Sequence, residues 1–233
     1  MNRNEQFETF LAECKIKKQW CGLGNPLANI LIVGQEPYGD EPKTDREYSD
    51  YLEDNYANCR FNHCFCDRDN NDTWDHYQEL IEYIYKEEFS KPYHDKTKYD
   101  FIEFAYTTEL SSWPRRKSYY PQAKQHIQKR FPLLKESDYI NGFPVIILAC
   151  GGYIHNNGGG ENRQIDNVFK VEYDGDEKGK NYYTSMNWFY THHGDGGRKL
   201  VIHTRQLSQN VKQELIPDMS IVIRDHLRKC GLL

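Results

Sequence analysis

Two short segments at opposite ends of the chain carry the residues best suited to chemistry. The first, residues 30–40, is an apolar run that stops at Gly34 and is followed by a carboxylate, Glu36. The second, residues 199–208, is another apolar run, and it ends at an imidazole, His203. In open α/β sheets ligands bind beyond the carboxyl ends of the strands, because successive loops converge there. We therefore expect Glu36 and His203 to face one cleft.

Together, the two segments resemble the two signature motifs of the uracil-DNA glycosylase superfamily. Its best-known branch has Gly-Gln-Asp-Pro-Tyr-His after the first strand and His-Pro-Ser-Pro-Leu-Ser after the last. The corresponding hexamers are Gly-Gln-Glu-Pro-Tyr-Gly at 34–39 and His-Thr-Arg-Gln-Leu-Ser at 203–208. Weaker landmarks lie between them, at 104–108 and 145–151, so the resemblance spans about residues 26–215. The first segment alone equally fits a strand followed by a turn with a solvated acid.

The resemblance implies a DNA glycosylase of base excision repair that removes uracil or a related deaminated base, without a cofactor or a metal. It assigns Glu36 to stabilising the oxocarbenium-like sugar and His203 to donating a hydrogen bond to the departing base. The base must leave the stack, so contacts to base and backbone are also implied. The implied base-binding residues are Gln35, Tyr38, Phe61 (with Phe65 as an alternative) and Thr107. The implied DNA-binding residues are Arg205, Leu207, Ser208, Arg115 and Arg116.

Several of these positions depart from the family motifs. Glu36 replaces aspartate and adds a methylene, which moves the carboxylate far enough to change the rate of catalysis. Thr107 stands where the family has an asparagine, and a hydroxyl cannot make the paired donor and acceptor contacts of an amide. Arg205 replaces a serine loop as the expected phosphate contact. Leu207 is expected to wedge into the DNA stack, and its alternative is an ordinary apolar side chain that packs inward.

Two other functions remain open at this point. One keeps the fold and the DNA contact without the chemistry, as a binding or sensing module for nucleic acid. The other is a hydrolase or transferase for a small nucleotide, with the acidic 39–73 loop closing over the site. Basic residues without any acid occupy 113–131, which favours a phosphate-binding face, although a solvated helix face explains them equally well.

Composition bounds the class of protein. The chain has 233 residues, a net charge of −5 and seven cysteines. It has no export signal and no apolar run that could cross a bilayer, so we expect a cytoplasmic monomer with reduced thiols and no membrane association. Cys59, His63, Cys64 and Cys66 lie close together without the usual zinc spacing, which favours free thiols. No linker divides the chain, so residues 1–233 are expected to form a single domain.

The elements that must position these residues alternate between strands and helices. Helical spacing predicts helices at 5–20, 74–89, 121–135 and 210–229. In the last of these, Pro217 forces a break or a late start. Apolar runs predict strands at 30–34, 99–110, 144–150 and 199–204. This succession predicts an α/β fold with a parallel sheet and right-handed crossovers. With the resemblance, it implies a three-layer α/β/α sandwich around a four-stranded parallel sheet. Residues 168–192 add β-prone stretches, which predict an inserted β-hairpin turning at 174–180.

Overall fold

Helices flank both faces of one mixed sheet in the computed structural model, which describes residues 1–60, 72–85, 99–116, 120–156, 162–208 and 210–233. The strands are β1 (Leu23–Gly24), β2 (Ile30–Gly34), β3 (Ala105–Glu109), β4 (Val145–Ala149), β5 (Glu172–Tyr173), β6 (Lys180–Thr184), β7 (Asn187–Gly194) and β8 (Lys199–Thr204). The helices are α1 (Arg3–Lys17), α2 (Asp45–Asn58), α3 (Asp72–Ile84), α4 (Phe101–Phe104), α5 (Tyr120–Glu136), α6 (Asp138–Asn141), α7 (Gln164–Phe169), α8 (Asp176–Gly179) and α9 (Leu215–Lys229).

The sheet has the order β1-β3-β2-β4-β8-β7-β5, and β6 pairs with β7. β3, β2, β4 and β8 pair in parallel, whereas β1, β5, β6 and β7 are antiparallel to their neighbours. The α/β class is confirmed, but a sheet of only four parallel strands is not, because the described sheet is mixed and has eight strands. β1 contains two residues, too few for a pattern to predict, whereas the two residues of β5 lie at the end of the expected β-prone stretch that closes at Tyr173. The inserted hairpin extends the central sheet.

Burial on both faces explains why the central strands are continuous apolar runs. Every residue of β2, β4 and β8 is buried. The side we call face 1 packs residues of α1, α2, α5, α6 and α7 against Leu31, Val33 and Val201. The opposite side, face 2, packs α3, α4 and α9 against strand residues such as Ile32 and Ile202.

Two elements differ from the sequence-based expectation. α2 lies inside the segment expected to be a long acidic loop, because Thr44 caps its first turn by accepting a hydrogen bond from the Glu47 amide. The hairpin of β6 and β7 turns at residues 185–186, whereas α8 occupies the stretch expected to be the turn. α7 extends into residues 168–169 of the first expected β-prone stretch, and β5 forms at the end of that stretch. The late start of the last helix is confirmed, since α9 begins at Leu215, two residues before Pro217.

Candidate active site

A crevice at the carboxyl edge of the sheet is defined by the strand order. The chain leaves β2 towards β3 on one side and leaves β4 towards β8 on the other, so the loops after β2 and β4 diverge. Gln35, which follows β2, bridges these loops by donating a hydrogen bond from Nε2 to the Cys150 carbonyl at 3.1 Å. Its Oε1 is buried without a hydrogen-bond partner among the described residues. A buried acceptor without a partner is uncommon in folded proteins.

A single turn after β4 contacts both expected catalytic side chains. This turn is a one-turn 3₁₀ helix, Gly151–Tyr153. The Tyr153 hydroxyl donates to Glu36 Oε1 at 3.1 Å, and His203 Nε2 lies 2.8 Å from the Gly151 carbonyl oxygen. Gly151 adopts a φ of +56°, a conformation that glycine tolerates at low cost. Glu36 and His203 therefore reach the same turn, from loops separated by more than 160 residues of sequence.

The imidazole of His203 is held neutral. It is 7% exposed, and burial lowers its pKa to about 4, although the bond to the Gly151 carbonyl opposes that shift. A carbonyl can only accept a hydrogen bond, so the Nε2 atom carries the proton and Nδ1 is left as an acceptor. The N–H group that the resemblance directs at a departing base is thus already bonded to Gly151.

A second carboxyl group, Glu109, lies beside Glu36 and was missed by the sequence analysis. It ends β3, in register with Gly34, and a Cβ at Gly34 would collide with its carboxyl oxygens. Burial, reinforced by the charge of Glu36, raises the pKa of Glu109 to about 8, while Arg130 acts in the opposite direction. The available signal was an acid near the end of the segment 99–110, in which a strand was predicted.

The nearest cation does not neutralise this carboxyl group by hydrogen bonding. Arg130 is fully buried, and its guanidinium donates to the Glu109 carbonyl, the Ser112 hydroxyl and the Thr108 hydroxyl. The Oε2 atom of Glu109 has no hydrogen-bond partner among the described residues. A carboxyl group in this setting is more stable with a proton than without one.

The three positions after β8 that the resemblance assigns to DNA binding have different surroundings. Arg205 donates from Nη1 to the carbonyls of Met186 and Asn210, and from Nε to that of Gln206. Its guanidinium thus ties the loop to the β6–β7 turn. Leu207 is fully buried on face 2, which corresponds to the alternative of an inward-packing side chain, and this position cannot reach a DNA stack without rearrangement. Ser208 is partly exposed.

The remaining predicted positions are spread over the loop after β2 and over β3. Tyr38 is 76% exposed and directly follows the buried Pro37. Thr107 faces the sheet edge and donates its hydroxyl to the Leu23 carbonyl, so the structure places it away from the crevice. Phe61 and Phe65 lie outside the described residues.

The predicted basic face is partly neutralised by the acidic loop beside it. Arg116 is exposed and makes a paired contact with the Asp40 carboxylate, with Nε and Nη2 at 2.5 and 2.9 Å. Arg115 is buried, and its Nη2 lies 3.7 Å from Glu41 Oε2. A phosphate would have to displace these carboxylates to bind either guanidinium group.

Histidines, acids and thiols in the described part of the chain form no group of three or more that could hold a metal ion. Cys59 is buried and contacts the Tyr56 carbonyl, whereas His63, Cys64 and Cys66 lie outside the described residues. Among the described residues, no helix is both long and apolar enough to cross a membrane.

No protein-family model, no curated protein and no solved structure matches this chain. The resemblance of the two hexamers to the glycosylase motifs therefore stays a prediction.

Proposed function

We propose that this protein hydrolyses the N-glycosidic bond of uracil or a related deaminated base in DNA. The observation that carries the proposal is the shared turn, Gly151–Tyr153, which contacts Glu36 at one end and His203 at the other. A carboxylate and a neutral imidazole on one crevice match the needs of this reaction, which develops positive charge on the sugar and negative charge on the base.

Each group has a defined part in the bond cleavage. The C1′–N bond breaks with its electron pair going to the base, and water adds its oxygen to C1′. Glu36 stabilises the cationic sugar and accepts the proton that the water releases, while the Tyr153 hydroxyl holds Oε1 in place. The anionic base accepts the Nε2–H hydrogen bond of His203.

The bond from His203 to Gly151 gives this proposal a structural requirement. A base oxygen must replace the Gly151 carbonyl as the acceptor of the Nε2–H group. The exchange replaces one neutral acceptor with a developing anion, and hydrogen bonds to charged acceptors are about twice as strong. The N–H group is thus bonded before the substrate arrives and is stabilised further as charge develops.

The test measures release of labelled uracil from a single-stranded oligodeoxynucleotide. We expect Glu36→Gln and His203→Ala each to lower kcat by roughly 10²–10³-fold, the usual loss when one charge-stabilising group is removed. His193→Ala is the matched control, because His193 is exposed and bonded to Asp174. Wild-type turnover in either site variant would refute the assigned roles.

A second candidate is a nucleic-acid-binding or sensing protein that does not cleave the bond. It is favoured by the saturation of the His203 N–H group in the free protein. Binding of the same oligonucleotide without release of uracil would select this candidate. Neither binding nor release would instead favour the small-nucleotide hydrolase.

A further inference from the structure

Aromatic rings of β7 extend the candidate active site along the sheet. The Trp188 and Tyr190 ring centroids are 5.1 Å apart, and they lie 5.0 and 6.3 Å from the His203 imidazole. We call Trp188, Tyr190 and Tyr173 the aromatic wall, because the Tyr173 ring continues the row at 5.9 Å from Tyr190. Two rings of the wall, Trp188 and Tyr190, therefore lie beside His203, a residue of the proposed catalytic pair.

Strand register places the wall at the working edge of the sheet. β7 runs antiparallel to β8, with Tyr190 opposite His203 and Phe189 opposite Thr204. Side chains alternate along a strand, so Trp188 and Tyr190 lie on the face opposite to Phe189, which is buried in the face 2 core. They therefore share face 1 with His203, at the carboxyl ends of the parallel strands.

All three wall residues remain partly exposed, unlike the buried aromatic side chains of the core. Tyr182 lies opposite Trp188 on β6 and is 53% exposed, so aromatic surface continues towards the outer strand. Cationic groups border this surface. Lys180 Nζ lies 5.9 Å from the Tyr182 ring centroid, but it is paired with Asp176 at 3.1 Å, which a phosphate would have to displace. The Arg205 guanidinium is bonded to the Met186 carbonyl in the turn that leads into β7.

We infer that the aromatic wall stacks the unpaired bases of a single-stranded nucleic acid that flank the base held at His203. This inference rests on the proposed function and narrows its substrate to single strands. Aromatic side chains stack on any base, and bordering cations attract the backbone. Bases in a duplex have both faces covered by their neighbours, so they cannot stack on a protein ring without leaving the helix.

The test compares ring-removing with ring-preserving variants in the Glu36→Gln background, which prevents turnover. The probe is a fluorescein-labelled single-stranded 12-residue oligodeoxynucleotide with one central uracil, and its Kd is measured by anisotropy. We expect Trp188→Leu and Tyr190→Leu each to raise Kd roughly tenfold. Trp188→Phe and Tyr190→Phe are the matched controls, and they should retain most of the affinity because a ring remains.

Two further arms decide what the wall recognises. A strand of the same length with abasic sites flanking the uracil should bind wild-type and leucine variants equally weakly, because it has phosphates but no bases to stack. The fully paired duplex should bind more weakly than the single strand. Equal Kd values for leucine and phenylalanine variants, or binding of the duplex as tight as that of the single strand, would overturn the inference.

The outcomes separate this inference from the proposed function. Ring-dependent binding with no uracil release by the wild-type protein would leave the wall in place and refute the glycosylase proposal. Uracil release with a KM unchanged by Trp188→Leu and Tyr190→Leu would support the glycosylase proposal and refute the role of the aromatic wall. Thermal unfolding of each variant checks that the partly exposed positions tolerate the substitutions.

Discussion

Glu109 and His203 illustrate how burial sets the charge of single residues at the candidate site. Burial raises the pKa of the carboxyl group to about 8 and lowers the pKa of the imidazole to about 4. Both groups are therefore predominantly neutral at pH 7, and the charge of Glu36 is one of the causes that raise the pKa of Glu109. Environments that push neighbouring pKa values apart are typical of sites that divide acid and base roles.

Replacing Glu109 by glutamine should stabilise the protein at alkaline pH. The folded pKa lies above the unfolded value of about 4.3, so the folded state binds the extra proton, and stability is lost as pH rises from about 4.3 to 8. Glutamine does not titrate. We expect Glu109→Gln to lie close to the wild type near pH 4.5 and to exceed its free energy of unfolding by roughly 4–5 kcal/mol at pH 8.5, as the raised pKa of Glu109 implies.

Urea unfolding at the two pH values measures this difference. Glu172→Gln is the control, because Glu172 is exposed on β5. An identical dependence of stability on pH in Glu109→Gln and the wild type would show that Glu109 is ionised in the folded protein.

At the scale of elements, one arginine connects the loop after β8 to the inserted hairpin. The Arg205 guanidinium donates to carbonyls on both sides, at Met186 and at Asn210. It therefore holds the β6–β7 turn next to the strand end that carries His203. A planar group with donors in several directions is needed, since an ammonium group is a compact point charge.

Arg205→Lys should loosen this connection while keeping the charge. We expect a loss of about 0.5–1.5 kcal/mol in the free energy of unfolding, because the exposed Met186 and Asn210 carbonyls lose their side-chain donor and accept from water instead. Faster amide exchange in the β6–β7 turn would localise the effect.

If Arg205 also contacts phosphate, Arg205→Ala should reduce the slope of log binding constant against log salt concentration for the oligonucleotide by about one unit. Wild-type stability together with a wild-type salt slope would exclude both roles.

At the scale of the whole molecule, the two core layers decide which loop residues remain at the surface. Leu207 follows the catalytic strand by three residues, and the structure packs it into face 2 with residues of α3 and α9. It thus joins the loop of the candidate site to the helical layer behind it. The same sequence position in the family motif is implied to be a DNA wedge, which requires exposure.

Leu207→Ala should therefore act on stability first. Removing a fully buried leucine costs about 2–5 kcal/mol, and Leu207→Met should cost less than about 1.5 kcal/mol because the volume is kept. Chemical denaturation measures both variants. If Leu207→Ala unfolds like the wild type but loses oligonucleotide affinity, Leu207 is exposed in solution. That result would support its expected role as a wedge in the DNA stack.

Local patterns predicted much of the fold and part of the site. Continuous apolar runs were sufficient to predict β2, β4 and β8. Burial on both faces produces such a run, which can be recognised within each segment without knowledge of its neighbours. β1 and α2 were not predicted, since a two-residue strand and a polar helix capped by Thr44 leave little periodic signal. Glu36 and His203 were recognised at the ends of apolar runs, whereas Glu109 and the surroundings of all three side chains were not predicted.

The sequence by itself determined that Glu36 and His203 follow buried strands, because apolar runs and their polar ends are local properties of the chain. Only the tertiary structure decided that both contact the turn Gly151–Tyr153, that Glu109 joins them, and that Leu207 faces inward. These features depend on strand order, register and loss of water, which arise from contacts between distant segments. Proton affinity follows from the same contacts, since burial and neighbouring charges set it.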